Sequence, residues 1–144
     1  MSLATWKKEF YPIPASKCKK KDALEHSLQK WIGLRKKNTD KHDVRKYGMR
    51  IESKSDKYDD LLIACKSCSL CMFYLKEHHI DKCDTCPLSI ARGGFACDFM
   101  FTSPYGTYQD SHNPEPMIKL IRKAIRQSKK KGGNNAQKER NRRK

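Results

Sequence analysis

The sequence predicts a small, single-domain α+β fold, and three observations carry that expectation. Leu24, Leu28, Trp31 and Ile32 recur at the spacing that gathers apolar side chains on one face of a helix. Met49 and Ile51 alternate with polar residues, a polar turn follows over 53–57, and a compact apolar run fills 61–64, which together read as a β-hairpin. Five of the seven cysteines fall between Cys65 and Cys86, in three-residue steps that follow neither the helical nor the strand period. A chain of 144 residues has room for one domain and a tail. With 37% of residues hydrophobic and 33% charged, its core is modest, so a metal cross-link would add stability where apolar burial is limited.

Along the chain, Pro12, Pro14 and the basic run 17–21 around Cys18 suggest that residues 1–21 form a basic extended arm. Asp22 is placed to cap the following helix, with Glu25 completing a capping box and Gly33 at its C-terminal end. A short helical turn is expected at 38–42, and the hairpin then delivers the chain directly to Cys65. Gly93 and Gly94, and residues 103–108, read as loops. Asn113 and Pro114 look like the cap and first residue of a last helix, with Met117, Leu120, Ile121, Ala124 and Ile125 on one stripe and Lys119, Arg122, Lys123 and Arg126 on the other side. Gly132 and Gly133 are expected to end it, leaving 132–144 as a basic disordered tail and 22–131 as the folded α+β domain. There is no internal repeat.

The first ten residues hold no apolar run suited to a signal peptide, and no stretch approaches the roughly 18–20 apolar residues that cross a bilayer. The expectation is therefore a reducing cytoplasm and no membrane. In that compartment closely spaced cysteines read as metal ligands or redox groups before disulfides, and seven is an odd number.

The net charge of +16 is unevenly spread. Residues 1–50 carry 14 Lys/Arg against 5 Asp/Glu, and residues 129–144 carry 8 against 1. Residues 51–112 carry 6 against 9, so the cysteine-rich part is the acidic part of a basic protein. A polyanion is better matched by the two ends than by the middle.

Cys68 and Cys71, then eleven residues, then Cys83 and Cys86 form two Cys-x-x-Cys turns. Each such turn places two thiolates on one ion, and two turns complete a tetrahedron, which is the pattern of a structural Zn²⁺ site. Cys65 or Cys97 can replace one of the four. The alternative is an iron–sulfur cluster, because the run Cys65, Cys68, Cys71 and the pair Cys86-Pro87 echo ferredoxin ligation. Position 75, however, is Leu75, and the surroundings are rich in Lys, Asp and His, which favours zinc. A thioredoxin-like use of Cys83 and Cys86 wants a βαβ setting that is not evident, and a zinc deaminase wants a His-x-Glu that does not occur. His78 and His79 stand in a charged linker, where histidines are usually solvated. A closed structural site with no catalytic group is the expectation.

The stretches "ALEHSLQKWIGLRKKN", "CSLC", "CDTCPLS" and "SPYG", in that order over residues 10–125, resemble a group of small uncharacterised bacteriophage proteins. The resemblance implies that Cys68, Cys71, Cys83, Cys86 and Cys97 form the metal set, with Cys18 and Cys65 outside the group's pattern. It also implies a phage gene product working in the cytoplasm of an infected bacterium, and it carries no activity. His26, Ser27 and Trp31 belong to the same pattern. Adjacent helical residues point in different directions and no acid is placed to orient the histidine, so a nucleophile pair is not indicated. Trp31 is expected to pack against the cysteine module, with His26 and Ser27 bonded to nearby backbone.

Two functions compete. The first is a zinc-stabilised accessory module that binds nucleic acid, or a host nucleic-acid-processing protein, through its basic ends. Lys129, Lys130, Lys131, Lys138, Arg140, Arg142, Arg143 and Lys144 would contact phosphates, with Tyr105 and Tyr108 stacking on bases. The alternative is a phage effector that binds and modulates a host protein through Asp56, Asp59, Asp60 and the aromatics around 99–108, its zinc site purely structural. An enzyme with a catalytic zinc lacks a visible carboxylate–histidine constellation.

Overall fold

A computed structural model describes residues 1–74, 83, 85–98 and 103–142. Helix α1 (Leu3–Phe10) stands where an extended arm was expected. Ser2 and Thr5 form a capping box, and Leu3, Trp6 and Phe10, three and four residues apart, turn one face inward and are buried. That spacing is helical, and it outweighs the prolines, which only end the helix and start two short 3-10 turns, Ala15–Lys17 and Lys20–Asp22. The N-terminal segment is therefore part of the folded body: the Leu3 N–H donates to Ser53 Oγ at 2.7 Å, and Trp6 Nε1 donates to the Gly33 carbonyl at 2.8 Å.

Helix α2 (Ala23–Gly33) forms as expected, but Asp22 makes no side-chain cap, because the 3-10 turn before it already holds Asp22 in helical conformation. Its most buried stripe is Ala23, His26, Ser27, Lys30 and Trp31, whereas Leu24, Leu28 and Ile32 are only half-buried. The helix is wrapped on several sides, packing on α1, on α4 (Ser69–Tyr74) and on the last helix. Trp31 meets Tyr108 edge to face, with ring centroids 4.9 Å apart, and Tyr105 at 6.3 Å.

After α3 (Lys36–Lys41) comes a three-stranded antiparallel sheet in sequence order, β1 (Val44–Tyr47), β2 (Arg50–Ser53) and β3 (Asp60–Leu62). The expected hairpin is β2–β3, with Ile51 opposite Leu61. Strand β1 adds a second hairpin, in which Tyr47 faces Arg50 across a tight turn that needs Gly48 at φ +55. The Ile63 N–H bonds back to the Met49 carbonyl at 2.7 Å before the chain turns into the cysteines.

Helices α5 (Pro87–Ala91) and α6 (Pro104–Ser111) follow. The loop expected at 103–108 is the start of α6, because Ser103 caps it by accepting the Gly106 N–H and Pro104 takes the first helical position. Helix α7 runs over Glu115–Arg142. Met117, Ile118, Leu120, Ile121 and Ala124 bury against α2, α5 and α6. Instead of stopping at Gly132 and Gly133 and giving way to a disordered tail, α7 continues to Arg142: the nearby lysines, arginines and glutamines are good helix formers. No described helix is long and apolar enough to cross a membrane.

Candidate metal centre and cationic helix

Cys65 opens a 3-10 turn (Cys65–Ser67), Cys68 closes it, and Cys71 lies one turn into α4. Ser67 braces the turn, its hydroxyl accepting the Ala64 N–H at 3.2 Å and donating to the Ala64 carbonyl at 3.1 Å. This winding brings three thiols together, with the Cys71 thiol hydrogen-bonded to both Cys65 and Cys68. The shared proton raises Cys71 and lowers its neighbours, Cys65 to about 7 and Cys68 to about 5. Cys68 is helped further by the Lys30 ammonium. The bond donated to it matters more, the one charge less.

The second turn is equally tight: the Cys86 N–H donates to the Cys83 carbonyl at 2.9 Å, and Cys86 then begins α5, with Pro87 as its first residue. Burial pushes the Cys86 thiol up to about 11, and the charges of Cys68 and Cys83 add to the rise. Cys97, whose carbonyl accepts the Tyr105 N–H at 3.1 Å, is raised by burial and then by Cys68, Asp98, Cys86 and Cys83. Six cysteines thus converge on one region, including Cys65, which the resemblance left out. Among the described residues, no three His, Cys, Asp or Glu side chains close into a group that could hold a metal ion. Cys18 stands apart, buried and with its thiol donating to the Lys19 carbonyl. His78, His79 and Leu75 lie outside the described residues.

Sequence reasoning missed Lys30. Its side chain is buried on the same stripe of α2 as Trp31, and its ammonium donates to the Ser67 carbonyl at 3.0 Å and the Ser67 hydroxyl at 3.4 Å. Burial lowers its pKa, while the charges of Cys68, Cys71, Cys97 and Cys65 act the other way. The available signal was its position, four residues after His26 and three after Ser27. His26 Nε2 donates to the Ile13 carbonyl at 2.6 Å, as expected of a backbone-bonded histidine. Ser27 differs: its hydroxyl is buried and has no partner among the described residues.

No protein-family model, curated protein or solved structure matches this chain. What the chain does must be argued from its own surface.

The cations of the last helix are the second feature. Lys119, Arg122, Lys123, Arg126, Lys129 and Lys130 are exposed and, at the helical period, share one face opposite the buried stripe. Lys131, Lys138, Arg140 and Arg142 are exposed beyond the core, whereas Arg143 and Lys144 lie outside the described residues. An open groove of about 720 Å³ runs along the start of α7 and takes in Lys119, Arg122 and Arg126. Glu115, at its end, is engaged by Arg35 through two hydrogen bonds of 2.7 and 3.2 Å.

Tyr108 cannot stack on a base. It is fully buried against Trp31, and Tyr105 is half-buried with its hydroxyl donating to the Ile63 carbonyl at 2.9 Å. Both were expected to be surface rings because their segment was read as a loop, and α6 instead turns them inward. The described exposed aromatics are Tyr47, Tyr58 and Phe95. Of the acidic hairpin residues, Asp59 pairs with Lys7 at 3.5 Å, Asp60 pairs with Arg50, and Asp56 accepts the Tyr58 N–H at 2.9 Å.

Proposed function

We propose that the chain is a zinc-stabilised accessory module that binds nucleic acid through α7, and that it acts as a phage product in the cytoplasm of an infected bacterium. The observation that carries the binding reading is the division of α7 into two parts. Its first part is anchored by the stripe from Met117 to Ala124, so the cations on its outer face have a fixed position. Beyond Gln127 no apolar stripe continues, and Lys131, Lys138 and Arg142 carry positive charge round to the side that is buried earlier in the helix. From Lys119 to Arg142 the helix extends about 34 Å, close to one turn of duplex. Lysines and arginines set along that length meet phosphates without reading bases.

The donor chemistry of the cysteine region fits zinc. The Cys71 thiol is hydrogen-bonded to Cys65 and Cys68, those two are held toward the thiolate form, and a backbone hydrogen bond closes the Cys83–Cys86 turn. Cys68, Cys71, Cys83 and Cys86, with Cys97 or Cys65 as replacements, would hold the ion. Bound there, zinc would supply a cross-link between the 3-10 turn leading into α4 and the start of α5. The chain's own residues then do the binding: α5 and α2 hold the apolar side of α7, and α7 presents its charges.

Removing everything after Lys131 tests the reading. The truncation deletes Lys138, Arg140, Arg142, Arg143 and Lys144 and cuts α7 where it touches no core residue. Metal content and melting temperature should be unchanged. The slope of log K against log salt should flatten by about 0.9 per lost contact on duplex and about 0.7 on single strands, alike for all sequences. An unchanged slope and affinity would remove the outer half of α7 from the interface. Failure of the full chain to bind DNA or RNA at low salt would sink the nucleic-acid reading and leave the host-protein effector.

A further inference from the structure

Lys30 is 1% exposed, and a buried ammonium is unfavourable unless opposite charge and hydrogen bonds compensate it. Ser67 satisfies two of its three donor directions, and the Trp31 ring lies 5.4 Å away. None of the ion pairs among the described residues includes Lys30. Ser67 stands in the turn between Cys65 and Cys68, so the ammonium is held against the segment that carries the first thiols. A lysine serving only as a packing spacer would not need this environment. Its aliphatic stem could have ended in a methyl group, and Ser67 would then bond only to Ala64.

We propose that Lys30 is the built-in counter-cation of the cysteine centre, its ammonium held by Ser67 so as to offset the net negative charge of a metal ligated by thiolates. This inference rests on the zinc reading above. A divalent ion with four thiolate ligands carries two net negative charges, and it would sit in the acidic stretch of the chain. The ammonium cancels one of those charges from inside the fold, where solvent ions cannot reach. It also ties α2 to the turn that carries Cys65 and Cys68, so one side chain both orients the first ligand turn and balances it. Lys30 is thus a positioning residue, touching the turn that carries the ligands rather than the ion itself, of the kind whose loss weakens metal binding by about 10–100-fold.

The test uses the full chain and zinc alone, with affinity read by competition against a chelator. Lys30→Met keeps the length of the side chain and removes the charge. It should weaken zinc binding by about tenfold or more while the circular dichroism at saturating zinc stays that of the parent. A charge role makes a second demand. In a Cys83→His background, where a neutral ligand replaces a thiolate, the penalty of Lys30→Met should shrink several-fold, and a purely structural role would leave it unchanged. Should Lys30→Met fail to fold even in excess zinc, Lys30→Arg decides. Zinc retained by the arginine variant supports charge, and loss in both makes the slot one of shape and overturns the proposal. A parent protein that binds no zinc would refute the metal reading and this inference together. A parent that binds zinc no more tightly than Lys30→Met would refute this inference alone.

Discussion

The Trp6 indole donates its 2.8 Å hydrogen bond to the carbonyl of Gly33, and the same glycine leaves no space for a side chain beneath that indole. A Cβ on Gly33 would lie 2.5 Å from Phe10 Cγ and 2.8 Å from Trp6 Cζ2. Helix α1 therefore lies against the end of α2 more closely than any other residue at 33 would allow, and this contact is what makes the first ten residues part of the core.

Gly33→Ala should lower stability by about 1–3 kcal/mol, despite alanine's better helix propensity, because Phe10 and Trp6 must move. Gly132→Ala, where nothing lies within 4 Å, should leave the melting temperature unchanged or slightly raised. Thermal unfolding of the two variants side by side is the measurement, and equal melting would show that α1 is not closely packed on α2.

The cysteines should separate into two groups. Cys68→Ser and Cys86→Ser should unfold the chain or lower its melting temperature severely, because the free energy of metal binding is here folding free energy. Cys18→Ser should have little effect, since that thiol meets the Lys19 carbonyl and the Ser69 side chain rather than the other cysteines. Purified without chelator, the parent should contain about one zinc and be colourless. Visible charge-transfer absorption with acid-labile sulfide would assign the cluster alternative instead.

Acid should reveal the Arg35–Glu115 pair. The two hydrogen bonds from Arg35, followed by its charge, hold the Glu115 carboxyl below the usual carboxylate value of 4.5. A carboxyl lowered by folding stabilises fully above its unfolded value and loses that contribution as pH falls through the folded one. The parent should therefore lose stability on acidification below about pH 4.5, and Glu115→Gln should lose less. Because the glutamate is 55% exposed, the difference at neutral pH should be only ~0.2–1 kcal/mol. Urea midpoints measured at pH 7 and pH 3 check this, and parallel pH profiles would show that the pair contributes nothing.

The sequence was most legible where chemistry and period coincide. Trp31, the alternation around Ile51, the stripe from Met117 to Ala124 and the two Cys-x-x-Cys turns each carry their own spacing. The N-terminal arm was misread because Pro12, Pro14 and the four lysines of 17–21 dominated its composition, although Leu3, Trp6 and Phe10 already had helical spacing. Lys30 could not be read from sequence as buried, since lysine is normally exposed and only the approach of Ser67 and the cysteines makes its burial tolerable. The same holds for Tyr108, whose burial follows from α6 lying against Trp31 across more than seventy residues of chain. The run-on of α7 past Gly132 was hidden because paired glycines signal a stop only where another structure is waiting to begin.

Helix α2 is enclosed by partners from opposite ends of the chain, α1 at its start and α7 near its finish. A ribosome delivers these in order, so α1 and α2 can meet early, while the face of α2 that packs on α7 stays bare until residues 117–124 have emerged. Until then the nascent protein exposes an apolar surface that chaperones and proteases recognise. A message broken before codon 117 would thus yield a product fit for rapid clearance rather than a partly working one. In effect, the chain is kept only if the cationic helix that closes it has been made.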